Sequence, residues 1–344
     1  MHALIDWIED LVTSAPQFAF LAPMFSFLPT PHLIERLVPV TNPTAPQSSY
    51  FERVGAHRFV PTAHARGAWA VDEQHFSPLG GLIVHEIERM RTREGRAELV
   101  ISRIGFDILG RNTFEEFDIH VEVIRPGRTI ELVEATVVIA GRVTVSARVW
   151  LMTGEETGIV AGGEPDTLPE PESLSPWQLS SVWPGGYVAS LETRPVGIPQ
   201  PGRTTAWLTT SLDLVAGERV SDLASFVALV DTANGIAVRQ EPTKWMFPNL
   251  DLTIHLYRQP EAGWTGLDTT VTFGHTGQGL TSTVLHDVRG PVGHAQQILT
   301  VRPQPDHGMA TDPVATSPTM RSVGHPLPDS RQDSARTSAS SAAG

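Results

Sequence analysis

One grammar is written twice along this chain: a helix with a single apolar stripe, accompanied by strand-length runs separated by turn residues. A helix of that kind must bury its stripe, and a curved antiparallel sheet wrapped round it does so; two such units side by side give one continuous core. In the first copy Ser77 reads as an N-cap and Pro78 as the first helical residue, with Leu79, Leu82, Ile83, Ile87 and Met90 on one face. Strand-like runs follow at Ala97 to Leu109, Glu116 to Ile124, Thr129 to Ile139 and Val143 to Leu151, punctuated by Arg125-Pro126-Gly127 and Ala140-Gly141.

The second copy opens with strands at Tyr187 to Val196 and Thr204 to Leu214. A helix follows in which Leu223, Phe226, Val227 and Val230 recur at helical spacing, and Asn234-Gly235 reads as its left-handed C-cap. Strands at Leu250 to Tyr257, Trp264 to Phe273, Leu280 to Asp287 and Val292 to Arg302 complete it. Between the copies, Gly154 to Pro176 is rich in Glu, Gly and Pro, the composition of a linker. The organisation expected is an N-terminal extension over 1–48, an N-terminal domain over 49–153, a linker over 154–180 and a C-terminal domain over 181–302. A tail over 303–344, rich in Ser, Thr and Pro, is too poor in apolar residues to offset its ordering entropy and is expected to be disordered.

Composition removes several kinds of chemistry. The chain has no cysteine, so disulfides, thiolate-bound metals and thiol nucleophiles are out of reach, in keeping with a reducing compartment. A net charge of −13 with only 25 Lys and Arg argues against nucleic acid as a partner. No Lys or Arg precedes Arg36, as a secretory signal would require, and the longest apolar run, Phe18 to Leu28, is broken by Pro23 and too short to span a bilayer. A cytoplasmic protein without a transmembrane segment is expected.

Two polar residues intrude on apolar faces. Asp231 falls four residues after Val227, on the buried stripe of the second helix. Gln297 alternates with Ala295, Leu299 and Val301 on the buried face of the last strand. Each has a structural reading beside the functional one: Asp231 could bond backbone N–H groups near the helix end, and Gln297 could satisfy a strand edge. His85-Glu86 lacks the later histidine of a zinc-protease helix, no Gly-x-Ser-x-Gly elbow exists, and Gly274 to Gly279 joins two strands as a hairpin would. Neither metal nor cofactor is expected.

Several motifs, in order, resemble the double hotdog thioesterase-like superfamily. They are Arg66-Gly67-Ala68-Trp69 with Glu73-Gln74-His75, Arg125-Pro126-Gly127-Arg128, Phe247-Pro248-Asn249-Leu250-Asp251-Leu252-Thr253 to Arg258, and Gly290-Pro291-Val292-Gly293-His294-Ala295-Gln296-Gln297 with Val301-Arg302. The chain is similar to acyl-CoA thioesterase II over about Tyr50 to Pro303. The resemblance implies an α+β double hotdog fold and hydrolysis of an acyl-CoA thioester to free acid and CoA. Asp, Thr and Gln residues activate the water in that family. The Asp and Gln match Asp231 and Gln297, while Asn249 stands at the Thr position. Substrate binding is expected at His75, Gly80 and Gly81, although Phe76 follows His75 where the family has small residues. A carboxylate on an apolar face suits this chemistry, because desolvation raises its pKa toward the range of a general base. A non-catalytic acyl-CoA or lipid-binding protein and a hotdog enoyl-CoA hydratase are the alternatives. Self-association, as a homo-oligomer and most simply a dimer, is expected through sheet edges or the outer sheet face.

Overall fold

The computed structural model describes residues 49–305 other than residue 97. The expected N-terminal extension lies outside the described residues, as does the tail beyond residue 305. No helix among the described residues is long and apolar enough to cross a membrane.

The first half contains β1 (Ser49–Arg53), β2 (Arg58–Pro61), α1 (Phe76–Arg93), β3 (Leu99–Ile108), β4 (Phe117–Arg125), β5 (Ile130–Ile139) and β6 (Arg142–Thr153). The second contains α2 (Gly186–Ala189), β7 (Leu191–Pro195), β8 (Arg203–Thr210), β9 (Asp213–Val215), α3 (Asp222–Val230) and α4 (Ala233–Ile236). It continues with β10 (Trp245–Met246), β11 (Asp251–Leu256), β12 (Thr265–Phe273), β13 (Gln278–Asp287), β14 (Gly290–Thr300) and β15 (Arg302–Pro303). A single 13-stranded sheet runs through both halves in the order β7-β8-β12-β13-β14-β11-β3-β6-β5-β4-β2-β1-β9. The halves join at the antiparallel pair β3–β11, where Ile104 faces Ile254. They are also tied by β9, which leaves its own half to pair in parallel with β1, Phe51 opposite Val215. This is the α+β double hotdog architecture.

The two central helices pack at Gly81. A Cβ there would lie 2.6 Å from both the Ala224 carbonyl oxygen and the Ala228 Cβ, so only glycine lets α1 and α3 approach this closely. α3 is buried on most of its circumference, through Leu223, Ala224, Phe226, Val227, Leu229 and Val230, as expected for a helix enclosed by sheet. Its N-cap is Ser221, whose Oγ accepts the Ala224 N–H at 3.0 Å.

Three local expectations are corrected. The N-cap of α1 is His75 rather than Ser77: its Nδ1 accepts the Ser77 N–H at 3.1 Å, which starts the helix at Phe76 and puts Pro78 at the third position. Tyr187 is not in a strand, because the chain turns at Gly185 (φ +113°) into the one-turn helix α2, and the strand begins at Leu191. α3 ends at Asp231, its C-cap, while Asn234 and Gly235 lie inside α4 without a left-handed φ. The hairpin reading of Gly274 to Gly279 agrees with the structure, since that segment joins β12 to β13 with Gly277 at φ +87°. The segment between the halves is not uniformly loose. From Pro169 it is bonded to the second half, whose Trp207 Nε1 donates to the Pro169 carbonyl at 2.8 Å.

Candidate active site

Asp231 sits at the negative end of α3, where a carboxylate is electrostatically disfavoured. It is 6% exposed, and two amides converge on one of its oxygens. Asn249, just before β11, donates through Nδ2 to Oδ1 at 2.8 Å, and Gln297 of β14 donates through Nε2 to the same atom at 2.8 Å. Asn249 Nδ2 also bonds the Asp251 carbonyl at 3.0 Å, which fixes the direction of its amide. Gln297 is 1% exposed and its Oε1 has no partner in the structure. Asp231 Oδ2 accepts no hydrogen bond among the described residues. Burial raises the Asp231 carboxyl, the Asn249 and Gln297 hydrogen bonds lower it, and the balance leaves its pKa at about 6.

His75 approaches from the other helix, with Nδ1 3.9 Å from Asp231 Oδ2. The two do not form an ion pair. The Nδ1 lone pair is committed to the Ser77 N–H, and burial lowers the imidazole pKa to about 3, so the ring is neutral with its proton on Nε2. It stacks on Tyr187 at 4.1 Å between centroids, 29° from parallel. The Tyr187 hydroxyl pairs with Thr232 Oγ1 at 2.6 Å, and burial pushes its phenol up. The ring of His75 is thus held from both sides, by its own helix and by α2.

His75, Asp231 and Asn249 line a cleft of about 580 Å³ that opens to solvent past Phe76, Leu109, Pro248 and Thr300, with Arg111 and Arg302 at its rim. Arg111 is paired with Asp72 and Glu73, whereas Arg302 bonds only Thr300 Oγ1, at 2.9 Å, and has no carboxylate partner among the described residues. Behind the same three residues lies a smaller chamber of about 40 Å³, walled by Trp69, Leu179, Trp183 and Val188. Gly80 and Gly81 line neither space. Both are buried within α1, Gly80 against the rings of Phe76 and Phe106 and Gly81 against α3.

The expected site residues Asp231, Gln297, Asn249 and His75 therefore meet, while the two glycines serve helix packing. Tyr187, Trp183, Trp69 and Arg302 belong to the site without having been singled out by sequence reasoning. Trp69 and Arg302 lay inside recognised motifs, which was the available signal. A second cleft of about 690 Å³ surrounds Glu88, Arg89 and Ser221 at the other end of the helix pair. Several of its polar groups bind one another: Ser221 Oγ donates to Glu88 at 2.6 Å, and His85, Arg89 and Arg53 all bind Glu218, while Arg93 and Arg219 have no carboxylate partner among the described residues. Among the described residues no group of three or more His, Asp or Glu could hold a metal ion.

Residues 65–152 match the acyl-CoA thioesterase N-terminal domain, and residues 164–301 match the acyl-CoA thioesterase C-terminal domain. Among solved structures, a protein of Novosphingobium aromaticivorans DSM 12444 assigned as a thioesterase is 17% identical with a TM-score of 0.57, over 74% of this chain and 98% of its own. A hot dog fold protein of unknown function from Alicyclobacillus acidocaldarius is 12% identical, with a TM-score of 0.57 over 74% and 97%. A protein of Thermobifida fusca YX assigned as a thioesterase II is 17% identical, with a TM-score of 0.55 over 75% and 99%. At these identities the likeness speaks for the fold. No curated protein matches the chain.

Proposed function

The chain belongs to the acyl-CoA thioesterase family, and from that membership we propose that it hydrolyses an acyl-CoA to free acid and CoA with Asp231 as the base. The observation that carries this reading is the division of labour on one carboxylate. Oδ1 is held by two amides, and Oδ2 is left free at the junction of cleft and chamber. A water between Oδ2 and the thioester carbonyl attacks the carbonyl carbon as Asp231 takes its proton. The tetrahedral intermediate then expels sulfur; the C–S bond breaks, Asp231 gives the proton it took to the departing thiolate and so returns to its base form, and the acid departs. No covalent enzyme intermediate is needed.

Negative charge develops on the carbonyl oxygen in this scheme. The positive end of α1, reached through His75 and Phe76, faces the cleft, and His75 retains Nε2–H as a donor; both favour that charge. Asn249 and Gln297 orient Asp231. Arg302, a cation at the rim without a carboxylate partner among the described residues, suits the phosphates of CoA.

The hydratase reading gains one observation, since His75 comes within 3.9 Å of Asp231. The Ser77 N–H occupies the His75 nitrogen nearest the carboxylate, so the pair cannot share a proton there, and hydrolysis is the better account. Thiol release from acetyl-, octanoyl- and palmitoyl-CoA, compared between the unmodified protein and Asp231→Asn, is the direct test. A fall of at least about a hundredfold, the scale of general-base loss, is expected. Binding of acyl-CoA without thiol release from the unmodified protein would instead favour a binding module.

A further inference from the structure

We infer that this protein is selective for short over long acyl groups, and that Trp183 together with Trp69 sets the limit. The inference rests on the hydrolase reading for the identity of the ligand, and on the geometry of the chamber for its size.

An acyl chain attached to a thioester carbonyl beside Asp231 Oδ2, with CoA leaving through the cleft toward Arg302, extends away from CoA into the space behind the carboxylate. That space is the chamber of about 40 Å³. It is less than a tenth the size of the cleft, whose volume is about 580 Å³, so it suits a short acyl group better than a long one. Its far wall is aromatic and comes from both halves. Trp69, in the loop before α1, meets Trp183 edge-on at 4.8 Å and 71°. Phe247 meets both, at 5.2 Å and 5.9 Å, again near right angles. Trp183 cannot swing aside freely, because its Nε1 donates to the Gly235 carbonyl at 2.8 Å and its side chain is 5% exposed.

The same two tryptophans line a third space. On their other side, among the described residues, lies a groove of about 710 Å³ bordered by Pro184, Pro242 and Lys244. The wall is therefore a partition one or two side chains thick. Removing the Trp183 indole should join chamber to groove and give a long chain somewhere to lie. Conversely, a Cβ on Gly235 would stand 3.6 Å from Trp183 Nε1 at the margin of the chamber, in ordinary contact and at a permitted φ, and would shorten it.

Two measurements on the full chain test this. The first is kcat/KM for straight-chain acyl-CoAs from acetyl to palmitoyl, in the unmodified protein, Trp183→Ala and Gly235→Ala. The second is the affinity of S-alkyl-CoA thioethers of the same lengths, which cannot be hydrolysed. In the unmodified protein affinity should rise about fourfold per buried methylene over the first few carbons, then fall, with kcat/KM at least tenfold lower for octanoyl- than for butyryl-CoA. Trp183→Ala should raise the octanoyl-to-acetyl ratio at least tenfold, and Gly235→Ala should lower the butyryl-to-acetyl ratio. Should Trp183→Ala fail to fold, the Gly235→Ala ratio decides. An unmodified protein that handles octanoyl and palmitoyl chains as well as butyryl overturns the inference and leaves the hydrolase reading intact. A short-chain limit in thioether binding with no hydrolysis of any acyl-CoA upholds the chamber and overturns the hydrolase reading.

Discussion

Gln297 Nε2 and Asp231 Oδ1 lie 2.8 Å apart, and the donor belongs to a side chain with 1% exposure. An amide enclosed in this way steadies one oxygen of the carboxylate and partly offsets the cost of its burial. The other oxygen is left for chemistry.

That arrangement sets the pH dependence of turnover. With the Asp231 pKa at about 6 and His75 neutral down to about 3, the base form accumulates as pH rises through 6. kcat/KM should climb about tenfold per unit below that value and level off above it, with no second inflection from His75 between pH 5 and 8. A pH–rate profile that is flat from 5 to 8 would exclude Asp231 as the base.

Stability should run the opposite way. The Asp231 carboxyl binds its proton more tightly in the folded state, about 6 against an ordinary 3.8, so its contribution to stability is complete below the unfolded value. It is lost as pH rises through about 6. Each unit is worth about 1.4 kcal/mol, which makes the ionised residue at neutral pH a cost of at most about 3 kcal/mol. Asp231→Asn should therefore unfold at higher urea than the unmodified protein at pH 8, with the difference shrinking toward pH 4, while losing turnover. Equal midpoints at both pH values would remove the argument.

Each amide on Oδ1 favours the charged form, and hydrogen bonds to charged groups contribute about 1.5–3 kcal/mol. Asn249→Ala and Gln297→Ala should each move the midpoint of the pH–rate profile upward by about one unit, besides lowering the plateau. A variant whose plateau falls while its midpoint stays at 6 would show that its amide acts on substrate and not on Asp231.

Away from the site, Glu131 is fully buried and ion-paired to Arg91 and Arg96. Removing one member of a buried ionic group strands the rest, at about 3–5 kcal/mol. Glu131→Ala should lose that much in urea unfolding, and a loss below about 1 kcal/mol would mean that the arginines find water instead.

Gly81→Ala should cost about 1–3 kcal/mol through overpacking, since the new methyl must push α1 away from α3. Thermal unfolding checks this, and an unchanged midpoint would contradict the close helix crossing.

Periodicity is a local property, and it carried α1, α3 and most of the strands, together with the two misfits Asp231 and Gln297. A carboxylate on a helical stripe and an amide on a buried strand face are visible without any partner in view. What those misfits do depends on chain segments 18 and 66 residues apart meeting at one oxygen, and spacing along the chain does not encode that distance. The cap on α1 was misread for the same reason. Ser77 has the better capping side chain by type, and His75 takes the role because Tyr187, from the other half, packs against its ring. Gly81, expected from the sequence to bind substrate, is in three dimensions the crossing point of two helices, because the requirement for a missing Cβ comes from Ala224 and Ala228. The wall formed by Trp69 and Trp183 is decided in the same way, by two loops from different halves that share a boundary only once the sheet has closed round both helices.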